Sequence, residues 1–229
     1  MKLLHLTDFH ANRRWYNWTL DHAEAYDLIA YTGDFVDAYG FEPLESQVRW
    51  IAAWAKLLPR PFIWTTGNHD LQTMIAPTAC GEWLRRLPGA KAFGNHGHHD
   101  CLGHTFTRVK WRGVVPSLSD GDIVLSHAGP SGLATATTES GADGGSMDLS
   151  DALWAAPAPP WLMLSGHVPD PVRWIDRSAG AISINPGVNA GATAPNHVTI
   201  DTMTEKARLF RNGELADEAD LSPLVARGL

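Results

Sequence analysis

The feature that most constrains this chain is a repeated pairing, in which a short apolar run ends in a polar turn carrying Asp, Asn or His. Residues 3–6 run into Thr7-Asp8-Phe9-His10, residues 28–31 into Thr32-Gly33-Asp34, and residues 62–64 into Gly67-Asn68-His69-Asp70. Residues 123–125 then lead into Ser126-His127-Ala128-Gly129, and residues 162–164 into Ser165-Gly166-His167. Apolar runs this short, without strict alternation, read as strands covered on both faces.

Helix-length stretches separate the early runs. Residues 15–24 are one, and residues 44–58 are a stronger one, with Leu44, Val48, Ile51, Ala55 and Leu58 on one face and Pro59 as a stop. A shorter helix is predicted over residues 81–87, closed by Pro88-Gly89. Strand–helix–strand alternation predicts a parallel or mixed sheet with right-handed crossovers. From Ala92 onward, strands are predicted at 105–109, 123–125, 162–164, 172–175, 181–184, 198–201 and 207–211, enough for a second sheet. Residues 128–150, rich in Gly, Ser, Thr and Ala, read as a mobile surface loop, with a lid as the functional alternative. Residues 1–211 read as one domain and 212–229 as a C-terminal tail whose acidic groups form a solvated face.

Charge and cysteines narrow the function classes. Eighteen basic against 25 acidic residues among 229 leave a formal charge of −7, which argues against a broad electrostatic grip on nucleic acid except as a nucleotide-sized substrate. Cys80 and Cys101 form no CxxC pair, and no run approaches the ~18 apolar residues of a membrane span. The N-terminus turns polar too early for a signal peptide, so a cytoplasmic protein without membrane contact is expected.

Open α/β sheets place ligands at the carboxyl ends of their strands, where all five polar turns fall. Together they supply Asp8, His10, Asp34, Asn68, His127 and His167. Carboxylate and imidazole without thiolate suit Mn²⁺, Fe²⁺, Zn²⁺ or Co²⁺, and six ligands are too many for one ordinary ion. Two ions sharing a carboxylate would use them all and form a clamp for phosphoryl transfer.

The ordered set DxH, GD, GNHD, SH and GH, with Ile184-Asn185-Pro186-Gly187 behind it, resembles the calcineurin-like metallophosphoesterase superfamily. The resemblance implies an α/β (α+β) fold, a four-layer αββα sandwich of two mixed sheets flanked by helices. It implies two divalent ions, Mn²⁺ first and Fe, Zn, Co or Ni as alternatives, and hydrolysis of a small phosphate ester by a metal-bridging hydroxide. By position, Asp8 and His10 hold the first ion, Asp34 bridges both, and Asn68, His127 and His167 hold the second. His69 resembles the general acid, with Asp70 or Asp37 orienting it and holding it charged.

Two departures stand out. Many members end in GHxH, but here Gly166-His167-Val168-Pro169-Asp170 puts a proline at the last ligand position, leaving that place to Asp170 or water. Gly33-Asp34-Phe35-Val36-Asp37-Ala38 also lacks the phosphate-clamping arginine of the serine/threonine phosphatase branch, so Asn12 with Arg13 or Arg14 is the expected substitute. The missing arginine tilts the expectation toward phosphodiesters; a phosphomonoesterase, or a non-catalytic scaffold with an incomplete first site, are the alternatives. The stretch Asn95-His96-Gly97-His98-His99-Asp100 reads as a solvated turn, and His5, His22 and His197 as packing or surface residues. Trp50, Trp54, Trp64 and Trp161 read as core, and Trp15 and Trp18 as core first and substrate-stacking second.

Overall fold

In the computed structural model, which describes residues 1–70, 82–91, 97–119 and 122–222, two six-stranded sheets pack face to face. The first has the order β12-β11-β10-β1-β2-β3: β1 (Lys2–Leu6), β2 (Leu28–Thr32) and β3 (Phe62–Thr65) run parallel, and β10 (His197–Asp201), β11 (Lys206–Arg211) and β12 (Glu214–Asp220) add an antiparallel meander. The second has the order β4-β5-β6-β7-β9-β8. In it β5 (His104–Arg108), β6 (Ile123–Leu125), β7 (Leu162–Leu164) and β9 (Ala181–Ile184) are parallel, flanked by antiparallel β4 (His98–Cys101) and β8 (Ile175–Ser178).

Strand alternation builds the layers. Leu3, Leu28, Ala30 and Ile63 of the first sheet meet Phe106, Ile123, Leu125, Leu162, Leu164 and Ile184 of the second in the central core. Their neighbours Leu4, Leu6, Ile29, Tyr31, Phe62 and Trp64 face outward beneath α1 (Arg13–His22) and α2 (Leu44–Ala55), against Trp15, Tyr16, Ile51 and Trp54. On the far side Val124 and Met163 pack under Leu149 and Leu153 of α3 (Met147–Ala155). Both faces of the parallel strands are therefore dry, which is why the runs do not alternate. The layering is the αββα sandwich expected from sequence.

Five expectations change. The tail reading fails for Glu214–Asp220, which form the edge strand β12; Asn212 and Gly213, both at positive φ, make the two-residue hairpin turn before it, and Asn-Gly is the strongest sequence signal for such a turn. His98–Cys101 form β4, paired with β5 through Leu102-Gly103, so the histidine-rich stretch is half strand; Asn95 and His96 lie outside the described residues. Residues 128–150 form a hydrogen-bonded connection and not an open loop. The Asp143 carboxylate accepts from the Ser131 hydroxyl and the amides of Gly132 and Gly145, and Ser146 then caps α3. The predicted 172–175 strand lies later, at Ile175–Ser178, and the short helix is a 3₁₀ turn over Glu82–Arg86. Gly81, Cys80 and the Pro223-Leu224-Val225 segment also lie outside the described residues.

Candidate metal centre

The polar turns after β1, β2, β3, β6 and β7 converge on one rim. Asp8, His10, Asp34 and His167 all adopt left-handed backbone, φ 54°, 43°, 55° and 67°, which turns each side chain back toward its neighbours. The preceding glycines make the approach possible. A Cβ on Gly33 would lie 2.6 Å from the Gly67 nitrogen, and one on Gly166 would run into Thr7 and the Asp8 carboxylate.

Two groups of ligand atoms result. Asp8, Asp34 and His127 form a buried one, and His10, Asp37 and His69 a half-buried one beside it. His127 Nε2 is 3.2 Å from Asp34 Oδ2, 3.9 Å from Asp8 Oδ1 and 3.0 Å from Asn68 Oδ1. Its Nδ1 stands 2.7 Å from the Thr32 carbonyl, which can only accept, so Nδ1 carries the proton and Nε2 presents its lone pair. A lone pair facing two oxygen acceptors is resolved by a cation between them, a proton or a metal ion. Burial alone lowers the His127 pKa, but Asp34 and Asp8 outweigh it and push it up to about 10. Asp8 moves the other way: burial raises its carboxyl, yet the neighbouring His127 and His10 and the bond from the Thr7 hydroxyl hold it well below the usual range.

His10 Nε2 lies 3.7 Å from both Asp8 Oδ1 and Asp34 Oδ2. Two ligand atoms each about 2.1 Å from one ion stand about 3.0–3.6 Å apart. The spacing is thus too long for hydrogen bonds and close to that of atoms sharing an ion, and the donor set fits divalent cations. His167 joins the rim with its ring 5.0 Å from that of His127, and its amide fixes Asp8 Oδ2 at 3.0 Å. Asn185 of the Asn-Pro-Gly turn pins this loop, its amide donating to the carbonyls of Thr135, Gly166 and Val168. Asp170 is exposed, lines a separate cleft with Glu139 and Arg211, and belongs to neither ligand group.

Other expected roles shift. The buried Asp70 carboxylate accepts from the amides of Asp34, Phe35, Val36 and Gly67, tying the β2 and β3 turns together. Burial and the neighbouring Asp34 charge raise its pKa to about 7. His69 Nδ1 accepts from the Ala38 amide at 3.0 Å, with Asp37 Oδ1 3.6 Å away. Because an amide only donates, the ring proton sits on Nε2; burial lowers the His69 pKa, and the imidazole is neutral here, not held charged. Two members of the expected phosphate clamp, Asn12 and Arg13, are engaged elsewhere. Asn12 caps α1 by accepting from the Arg14 amide, and Arg13 pairs with Glu42 at 2.9 Å and lies over the Trp50 ring.

Sequence reasoning missed Trp111. It follows β5 in the turn Lys110-Trp111-Arg112, its amide donates to Thr66 Oγ1, and its ring contacts those of His127 and His167, with centroids 5.5 and 4.8 Å away. An aromatic flanked by two cations, just past a strand that ends on the rim, was the available signal.

A family model described as Calcineurin-like phosphoesterase matches residues 1–191. No curated protein matches the sequence. Among solved structures, a novel archaeal phosphodiesterase is similar over 92% of this chain and 99% of its own, at 17% identity and TM-score 0.51. Yfce, a phosphoesterase from E. coli, matches over 97% and 100% at 12% identity and TM-score 0.50. Purple acid phosphatase PPD1 from yellow lupin seeds reaches TM-score 0.60 at 13% identity over 95% of this chain, which spans 53% of it. Identities this low establish a shared fold alone.

Proposed function

Since the chain belongs to the calcineurin-like phosphoesterase family, whose members are metal-dependent hydrolases, we propose that it cleaves small phosphodiesters in the cytoplasm with two divalent ions, Mn²⁺ first among them. The observation that carries this reading is the His127 Nε2 lone pair set against Asp34 and Asn68 oxygens. Asp8, His10 and Asp34 would hold one ion; Asp34, Asn68, His127 and His167 the other. When bound, the ions supply Lewis-acid stabilisation of the phosphoryl oxygens and a hydrolytic water at neutral pH. The protein's own groups do the positioning. Thr32 sets the His127 tautomer, Asp70 holds the Asp34 turn, and His69 offers its Nε2 proton to a substrate oxygen on the His10 flank, where the two rings are 4.4 Å apart.

The preference for diesters is supported by the engagement of Arg13 with Glu42 and Trp50, which takes it from the expected phosphate clamp. A dianionic monoester needs such a clamp more than a monoanionic diester does. Initial rates on bis-p-nitrophenyl phosphate and p-nitrophenyl phosphate with Mn²⁺ test this: a higher kcat/KM for the diester is expected, and a higher value for the monoester would overturn the preference.

A further inference from the structure

A cavity of about 230 Å³ adjoins the metal centre at His127, with neither His10 nor His69 in its lining; its walls include Trp111, Val115, Ser126 and Leu149, together with the charged Lys110, Arg112 and Asp148. From this cavity, and resting on the phosphodiesterase reading, we infer that the enzyme holds the retained alcohol of its substrate there, and that this alcohol is compact and hydroxylated.

Three observations converge. First, the site has two flanks: His10, Asp37 and His69 cluster on one side of the Asp8–Asp34 pair, while His127, His167 and Trp111 occupy the other. A leaving oxygen served by His69 departs on the first flank, so the ester group that stays on phosphorus has the second. A monoester has no such group, whereas a diester would place its second ester group in this cavity. Second, the buried Ser126 hydroxyl has no hydrogen-bond partner, although Ser126 lines the cavity and its own amide is held by the Leu164 carbonyl. An unpaired buried hydroxyl costs stability and is satisfied by a polar ligand atom. Third, the volume lies below the roughly 300–1,000 Å³ typical of sites for drug-sized ligands. With Trp111, Val115 and Leu149 for apolar walls and Lys110, Arg112 and Asp148 for polar ones, it fits a few carbons bearing hydroxyls, glycerol-like in size.

The test uses p-nitrophenyl phosphodiesters whose retained alcohol is methanol, cyclohexanol or glycerol, with the full chain and Mn²⁺. p-Nitrophenolate leaves without a proton, so His69 does not bias the comparison. The glyceryl ester should exceed the methyl ester in kcat/KM by about tenfold or more, and Val115→Trp, which fills the cavity, should bring the two within about twofold. Ser126→Ala should lower the glyceryl-to-cyclohexyl ratio, with metal content measured alongside; this ratio and the wild-type ratio decide the matter even if Val115→Trp does not fold. Equal wild-type rates on glyceryl and methyl esters, or an unchanged ratio in a folded Val115→Trp, would overturn the inference alone. No cleavage of any of the three esters by the metal-loaded wild type would instead overturn the phosphodiesterase reading beneath it.

Discussion

Asp8, His10, Asp34 and His167 occupy left-handed backbone, which costs a non-glycine residue about 1–3 kcal/mol and persists only where the surroundings enforce it. Asp70 is the enforcing group for the Asp34 turn, taking four main-chain amides on one carboxylate. Asp70→Ala should therefore lower stability by about 3 kcal/mol or more and reduce bound metal. A residue that merely oriented His69 would lower kcat with stability and metal content intact, so parallel thermal melts and elemental analysis separate the two roles. Two other buried histidines control the response to acid. Burial holds His5 down to about 3 against the pull of Asp8, and His197 down to about 4 against its bond to the Pro195 carbonyl. Below the unfolded value of about 6.5 the unfolded chain takes up protons that the folded one refuses, so stability falls as pH drops from about 6.5 toward 4, by up to ~1.4 kcal/mol per pH unit for each histidine. Urea unfolding across that range should show the slope, and His197→Phe should remove about one proton's share of it; an unchanged slope would contradict the assignment.

At the level of elements, β12 is where sequence pattern and structure diverge most. Glu214-Leu-Ala-Asp-Glu-Ala-Asp220 is charged and almost wholly exposed, a composition that suits a sheet edge because charge discourages pairing with other chains, and that looks like a tail when read linearly. Its far end is anchored: Leu221 is fully buried in the central core, its carbonyl accepts from Trp161 Nε1, and Asp217 accepts from Trp174 Nε1. Leu221→Ala should cost about 2–5 kcal/mol in chemical denaturation, whereas a free tail would register no change. The parallel strands were legible because burial on both faces leaves an uninterrupted apolar run. Helix α3 was not, since only Leu149 and Leu153 give it an apolar face and its Ser146 cap lies within a run of small residues. The convergence of Asp8, His10, Asp34 and His127 on one rim was legible from the turns. The roles of Asp70, Asn12 and Arg13 were not, because each is decided by partners distant in sequence or by a helix cap that residue type alone does not reveal.

For the whole molecule, two sheets meet so that turns from both supply one site: Asp8, His10, Asp34 and Asn68 come from the first, His127 and His167 from the second. Metal bound there would tie the layers together, and a ligand bound only by the folded state raises its stability with concentration. Among the described residues no helix is long and apolar enough to cross a membrane. In the proposed site, two ions would share Asp34. Equilibrium metal titration of the wild type and of Asp34→Asn, with hydrolysis followed in the same samples, tests it most directly. Two ions per wild-type chain, at most one in Asp34→Asn, and loss of most hydrolysis with the second ion are expected; two ions and full activity in Asp34→Asn would contradict a shared Asp34.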